Sequence, residues 1–301
     1  MKLKLDICDV PIQVSFERED FYKLAKDRYS AYLTNKKPEI TIYVHGLVDN
    51  LTTNLTDIRE MGPQVITTGE MFPSRITIIG SVEAEIDLGV GEGICAISIR
   101  ATAFDSFLRI LYTIVLLIRG GFLIHSIGLK INTQSSTPAN TLFCMTKLRK
   151  RVGCPAGILF PGKSGSGKTT LAGLVEKIDK RLVLSDELVY VKEKLGRFYI
   201  GGTPFWGEFR KGESRLSLPL RGIFFLRRNI KTALYCRKVS FDDAVIRLLK
   251  LILFFSDDLS LNKLLLNLAY KLAKKIPTYE ICYDKDRVGL GEISDVVRKS
   301  I

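Results

Sequence analysis

Through the first hundred residues, apolar side chains come in short runs, several alternating with polar ones. KLKLDI and IQVSF, then EITIYVHG, SRITIIG and GICAISIR, are alternating or β-branched stretches bounded by Gly, Pro or Asn, and such runs predict strands. Over 18–34 the apolar spacing predicts a helix instead. The period changes again at 102–119, where Phe104, Phe107, Leu108, Leu111, Ile114, Val115 and Ile118 recur at helical spacing before Gly120 and Gly121 stop the helix. A strand, FLIHSIGLKI, follows at 122–131. Residues 132–156 are a long polar and then basic insertion, and loops of that length are usually functional or mobile. GILF at 157–160 predicts a buried strand, 169–178 a helix and RLVLS a further strand. LVYVKEK and RFYIGG predict a hairpin turning at Gly196, and LRGIFFLRR and TALYCRKV two more strands. Helices over 241–255 and 260–275, the strand IPTYEICYD and a closing helix GEISDVVRKS complete the chain. The expected fold is α/β with a mixed sheet: a small β-rich unit over 1–100, then a larger domain over 101–301 that carries the insertion.

Composition narrows the chemistry. Of 301 residues 46% are hydrophobic, which is ample for a packed core. The formal charge of +13 favours an anionic partner, such as a nucleotide, an acidic peptide, an anionic membrane face or a nucleic acid. Neither an RNA-binding aromatic pattern nor a helix-turn-helix accompanies it, so nucleic acid is not the expected partner. The densest basic cluster is Lys147 to Arg151, where Leu148 alone is uncharged; solvated faces explain such runs more often than binding does. The six cysteines form no Cys-x-x-Cys pair and the two histidines, His45 and His125, lie near no cysteine cluster, which argues against zinc. The most apolar run, ILYTIVLLI, is roughly half the ~20 residues a membrane span needs, and the N-terminus has no signal-peptide pattern. A cytoplasmic protein is expected, and an oligomer is compatible with all of this.

The most informative stretch is GKSGSGKTT. Gly162, Gly167, Lys168 and Thr169 fit G-x-x-x-x-G-K-[ST], with a strand before and a helix after. Glycines let successive backbone N–H groups turn inward around phosphate oxygens, and the helix adds its positive end. The loop from Gly162 through Lys163, Ser164, Gly165, Ser166, Gly167, Lys168, Thr169 and Thr170 is therefore the expected ATP site. Lys168 would neutralise the β and γ phosphates, and the Thr169 hydroxyl would reach Mg²⁺.

Asp186 and Glu187 follow RLVLS, only 17 positions after Thr169. Three readings compete. The Mg²⁺- and water-holding acidic pair of an ATPase usually lies much further along the chain. In adenylylsulfate kinases a close acidic pair leads into a helix, whereas here LVYVKEK continues as a strand, and their phosphate loop sits near the N-terminus. In the third reading the chain, from His125 onward, resembles the HPr kinase/phosphorylase and phosphoenolpyruvate carboxykinase-like superfamily. FLIHSIGL, LFPGKSGSGKTTLAGL, VLSDELVYV and GGTPFWGE followed by LPLRGIFFLRR carry the likeness. The set is specific, although each piece other than the phosphate loop is weak alone.

The resemblance implies a P-loop serine-kinase-like domain using ATP and Mg²⁺ to phosphorylate a Ser or Thr hydroxyl of a small protein or peptide. It implies that Asp186 is the base toward that hydroxyl and sits near Mg²⁺, that Glu187 stands where the family commonly has a second Asp, so that Asp186 and Glu187 join Thr169 as candidate Mg²⁺ ligands, and that His125 lies near the γ-phosphate. Thr203 and Trp206 either shape a pocket or form a packed turn. Among Arg221, Arg227 and Arg228, alternation lets at most one of the last two point at a given site. The N-terminal hundred residues do not resemble the regulatory domain of HPr kinases, and no later signature for handling HPr is found, so another acceptor is expected. The insertion reads either as a basic clamp for an acidic peptide or as a disordered excursion. A small-molecule kinase, a carboxykinase-like enzyme and a nucleotide-binding protein without transfer remain as alternatives.

Overall fold

Cys8 and Asp9 adopt left-handed backbone conformations, with φ of 59° and 57°, and so turn strand β1 (Lys2–Ile7) back along β2 (Val10–Phe16) as an antiparallel pair. This hairpin opens the first of two units in a computed structural model of the chain. The structure describes residues 1–47, 64–69, 75–79, 82–98, 101–132, 155–205, 207, 216–228, 234–284 and 289–301. The Lys147–Arg151 cluster, Trp206 and most of the 132–156 insertion lie outside the described residues.

The first unit comprises 1–118 and 254–265. Its elements continue with α1 (Glu19–Arg28), β3 (Ile40–Leu47), β4 (Gln64–Thr68), β5 (Arg75–Ile79), β6 (Val82–Asp87), β7 (Glu92–Ser98) and α2 (Ala101–Ile118). The seven strands form one mixed sheet in the order β1-β2-β3-β7-β6-β5-β4, with β2, β3 and β7 parallel to one another. Two of these strands, β4 and β6, were not expected. Yet Val82–Asp87 alternates buried and exposed positions, a period-two pattern present in VEAEID but built largely from Glu, Ala and Asp, which are depleted in strands.

The expected boundary at residue 100 also moves, because α2 belongs to this unit. Phe104 packs edge-to-face against Phe16, Phe21 and Tyr29 at 5.6, 5.8 and 5.5 Å. Asp105 beside it takes the Arg28 guanidinium at 2.6 Å and the Tyr29 hydroxyl. Aromatic pairs of this kind contribute about 0.5–1.5 kcal/mol each beyond their buried area. Asp258 ties in the later segment of the unit, accepting from the Thr67 hydroxyl at 2.6 Å and from the backbone N–H of Ser260 at 2.7 Å. Burial pushes that carboxyl upward, but these hydrogen bonds outweigh it and hold it at about 2.

The second unit comprises 119–253 and 266–301. Its strands are β8 (Gly121–Asn132), β9 (Pro155–Pro161), β10 (Val183–Ser185), β11 (Leu188–Lys194), β12 (Arg197–Gly202), β13 (Leu218–Arg228), β14 (Tyr235–Lys238), β15 (Ile252–Leu253) and β16 (Thr278–Tyr283), joined in one nine-stranded mixed sheet. Its helices are α3 (Lys168–Asp179), α4 (Phe241–Leu249), α5 (Leu259–Lys275), whose first residues belong to the other unit, and α6 (Leu290–Ser300). With six α-helices among the described residues and a mixed sheet in each unit, the fold is α/β.

Two features of this sheet place the candidate phosphate loop. Strands β9, β13 and β16 run parallel, so their carboxyl ends lie together; that edge is where open α/β sheets bind ligands. Beneath it Phe160, Phe224 and Tyr279 stack at 5.4 and 5.2 Å, in a core that includes Leu171 and Val175 of α3 and Ile293 and Val297 of α6. One expectation fails nearby. The helix expected over 241–255 stops at Leu249, and Ile252–Leu253 pairs with Ile124 and Leu123 of β8. There the backbone groups are satisfied by a strand that helical spacing cannot reveal.

Candidate functional site

Pro161 ends β9, and the loop 162–167 carries the chain into α3 at Lys168. Gly165 and Gly167 take φ of +75° and +99°, conformations that cost other residues free energy. Gly162 is required for a different reason. A Cβ there would lie 2.2 Å from Ser166 Oγ, and that buried hydroxyl has no hydrogen-bond partner among the described residues. A side chain at the first position of the turn would therefore press on Ser166 and make it shift, whereas glycine leaves the backbone N–H groups free to turn inward as a phosphate cradle needs.

Lys168 Nζ lies back across the loop, donating to the carbonyls of Gly162 and Lys163 at 2.6 and 2.8 Å. Burial lowers its pKa, while the Glu187 carboxylate pulls the other way. Lys163, Ser164, Gly165, Thr169 and Thr170 are exposed, whereas Ser166 and Gly167 are half-buried. Tyr283 closes the far side of the loop, its hydroxyl 3.4 Å from the Gly167 carbonyl, and burial raises it to about 12.

Strand β8 brings the remaining candidates to this loop. It pairs with β9 on one side and β11 on the other. As a result the His125 carbonyl accepts from the Gly162 N–H at 3.3 Å, and the Ser126 N–H donates to the Glu187 carbonyl at 3.0 Å. His125 and Glu187 are half-buried and Asp186 is buried. Asp186 accepts from the Gly207 N–H at 3.0 Å. The backbone thus gathers the phosphate loop, His125 and the Asp186–Glu187 pair at one edge of the sheet.

The other candidates behave differently. Thr203 is fully buried; its hydroxyl donates to the Leu188 carbonyl at 2.7 Å and accepts from the Phe205 N–H at 3.3 Å. Arg221 is exposed. Arg227 shares Glu280 with Arg237 and Arg247, at 3.6, 2.9 and 2.5 Å. Only the backbone of Arg228 is described. Gly207, Tyr283 and Glu280 were not singled out from the sequence. Gly207 lies within the quoted GGTPFWGE, while the other two carry no local signal.

The loop and its surroundings suit a nucleotide with Mg²⁺. A Cβ at Gly162 would press on Ser166, the Ser166 hydroxyl is buried without a partner among the described residues, an ammonium crosses the loop, and a threonine hydroxyl stands at the start of α3. No helix among the described residues is long and apolar enough to cross a membrane. No model of a known protein family matches the chain, and no curated protein matches it.

Proposed function

We propose that the chain is an ATP- and Mg²⁺-dependent kinase of the HPr kinase-like type, which phosphorylates a Ser or Thr hydroxyl of a small protein or peptide. One observation carries this reading: the loop glycine Gly162 is hydrogen-bonded to His125, and the next residue of that strand is hydrogen-bonded to Glu187. The glycine-rich loop, a histidine and an acidic pair are therefore held next to one another by the backbone, an arrangement that supports a phosphoryl-transfer site.

In this reading the loop N–H groups hold the β and γ phosphates. Lys168 gives up its bonds to the Gly162 and Lys163 carbonyls and turns its charge to the phosphate oxygens. Thr169 and Glu187 would hold Mg²⁺ with Asp186 close by, and the bound ion would draw charge from the phosphates. Asp186 takes the proton of the acceptor hydroxyl as that oxygen bonds to the γ phosphorus and the bond to the β–γ bridging oxygen breaks, releasing ADP. His125 lies beside the transferred group.

The test is transfer of label from γ-labelled ATP, with Mg²⁺, to HPr, serine- and threonine-containing peptides and free serine. Label in a protein or peptide supports the reading. Label in free serine alone would make the chain a small-molecule kinase, and ATP binding without transfer to any acceptor would leave a nucleotide-binding protein.

Two loop variants follow from the geometry. Lys168→Ala should lower the transfer rate by about 10²–10³, the usual effect of removing one charge-stabilising donor; steady-state kinetics with saturating ATP would show it. Gly162→Ala should weaken ATP binding at least about tenfold by calorimetry, because its methyl group collides with Ser166 and forces the cradle open. The circular dichroism spectrum should stay unchanged, since Gly162 lies in the loop between β9 and α3 and in neither element.

A further inference from the structure

The segment after β12 does something a plain hairpin exit would not. The last pair of the β11–β12 ladder joins Val189 to Gly202. One step further, the backbone pairing is replaced by a side chain, with the Thr203 hydroxyl donating to the Leu188 carbonyl at 2.7 Å and accepting from the Phe205 N–H at 3.3 Å. Pro204 has no N–H to extend a ladder. Thr203 and Phe205 are both fully buried, so the turn is anchored at two points. Two residues beyond Phe205, the Gly207 N–H donates to Asp186 Oδ1 at 3.0 Å.

Gly207 fits this place because it lacks a side chain. A Cβ there would stand 2.8 Å from Asp186 Oδ2 and 3.5 Å from Glu187 Cβ. Gly207 itself is exposed, so the crowding comes from the carboxylate side. Asp186 sits in the two-residue connection between β10 and β11. A hydrogen bond from a backbone N–H to a carboxylate is charge-assisted and directional.

We infer that Thr203 and Gly207 are positioning residues for the reaction: together they form a strap that fixes the orientation of the Asp186 carboxylate toward the acceptor hydroxyl. The inference rests on the kinase reading above and assigns a role to a glycine that the phosphate-loop motif does not cover. Geometry of this kind is costly to lose, since a displacement of about 1 Å at a reacting group can cost on the order of a hundredfold in rate.

The experiment compares the full-length parent with Gly207→Ala, Thr203→Ser, Thr203→Val and Asp186→Asn. It measures transfer from γ-labelled ATP to the acceptor found among HPr, serine- and threonine-containing peptides and free serine. ATP affinity is measured by calorimetry and thermal stability by circular dichroism. Gly207→Ala should lower kcat roughly tenfold to a hundredfold, with the Kd for ATP within about twofold. Thr203→Ser keeps the hydroxyl and should keep the rate, while Thr203→Val should lose it in parallel with Gly207→Ala. A purely structural strap would instead move ATP affinity and melting temperature together with the rate. If the parent transfers phosphate, Asp186→Asn does not, and both Gly207→Ala and Thr203→Val keep the parental kcat, the kinase reading stands and the positioning role is overturned. If the parent transfers phosphate to nothing, both fall. Should Gly207→Ala fail to fold, the serine and valine variants decide: serine active and valine slow supports the strap, and both active overturns it.

Discussion

Asp186→Asn should bind ATP within about threefold of the parent and transfer its γ-phosphate about a thousandfold more slowly, within the 10²–10⁴ range that a positioned general base contributes. The substitution keeps the shape of the side chain and its ability to accept from the Gly207 N–H, 3.0 Å from Oδ1 in the parent. It removes the charge that takes the hydroxyl proton. Binding should survive because the loop N–H groups and Lys168, rather than Asp186, grip the phosphates. Single-turnover kinetics with labelled ATP, alongside calorimetric titration, separate the two effects. A variant that transferred at the parental rate would remove Asp186 from the role of base.

The second large effect concerns stability. Glu280 is 2% exposed and gathers three guanidinium groups and the Tyr235 hydroxyl, the last at 3.1 Å. Burial pushes its carboxyl upward, but the Arg247 and Tyr235 hydrogen bonds and the nearby arginine charges outweigh that and leave its pKa lowered. Glu280→Gln would strip the anion from this hub. Removing one partner of a buried ion pair typically costs 3–5 kcal/mol. Because Arg227 and Arg237 are more than half exposed, their charges are partly solvated, and a loss of about 3 kcal/mol is expected by urea unfolding at pH 7.

The pH dependence of this contribution has a definite sign. A carboxylate whose folded pKa lies below its unfolded one stabilises the fold fully above the unfolded value, about 4.3 for glutamate. That stabilisation is lost as the pH falls through the lower folded value. The parent should therefore lose more stability between pH 5 and acid than Glu280→Gln, and the two curves should converge. Parallel curves would show that Glu280 is not the group responsible.

Much of the candidate site is visible in the sequence because its signals are local. Gly162 through Thr170 sit in one uninterrupted motif, and the strand expected over 157–160 and the helix expected over 169–178 occur at Pro155–Pro161 and Lys168–Asp179. Strands with β-branched, alternating residues were equally readable, among them Ile40–Leu47 and Leu188–Lys194. Signals failed where charge or competition blurred them. Val82–Asp87 alternates but is built largely from Glu, Ala and Asp, which are depleted in strands, and Ile252–Leu253 carries helix-like neighbours yet pairs with β8.

By itself, then, the order of residues determined the α/β class, the candidate phosphate loop and the candidate acidic pair, because each depends on spacing within a few residues or on a short motif. Tertiary structure decided what depends on residues far apart in the chain. It assigned α2 to the first unit through the packing of Phe104 against Phe16 and Phe21, brought Tyr283 to the Gly167 carbonyl, and set Gly207 against Asp186. Those contacts form only when non-local strand pairing and buried aromatic packing repay the entropy of closing long loops. No local periodicity records that balance.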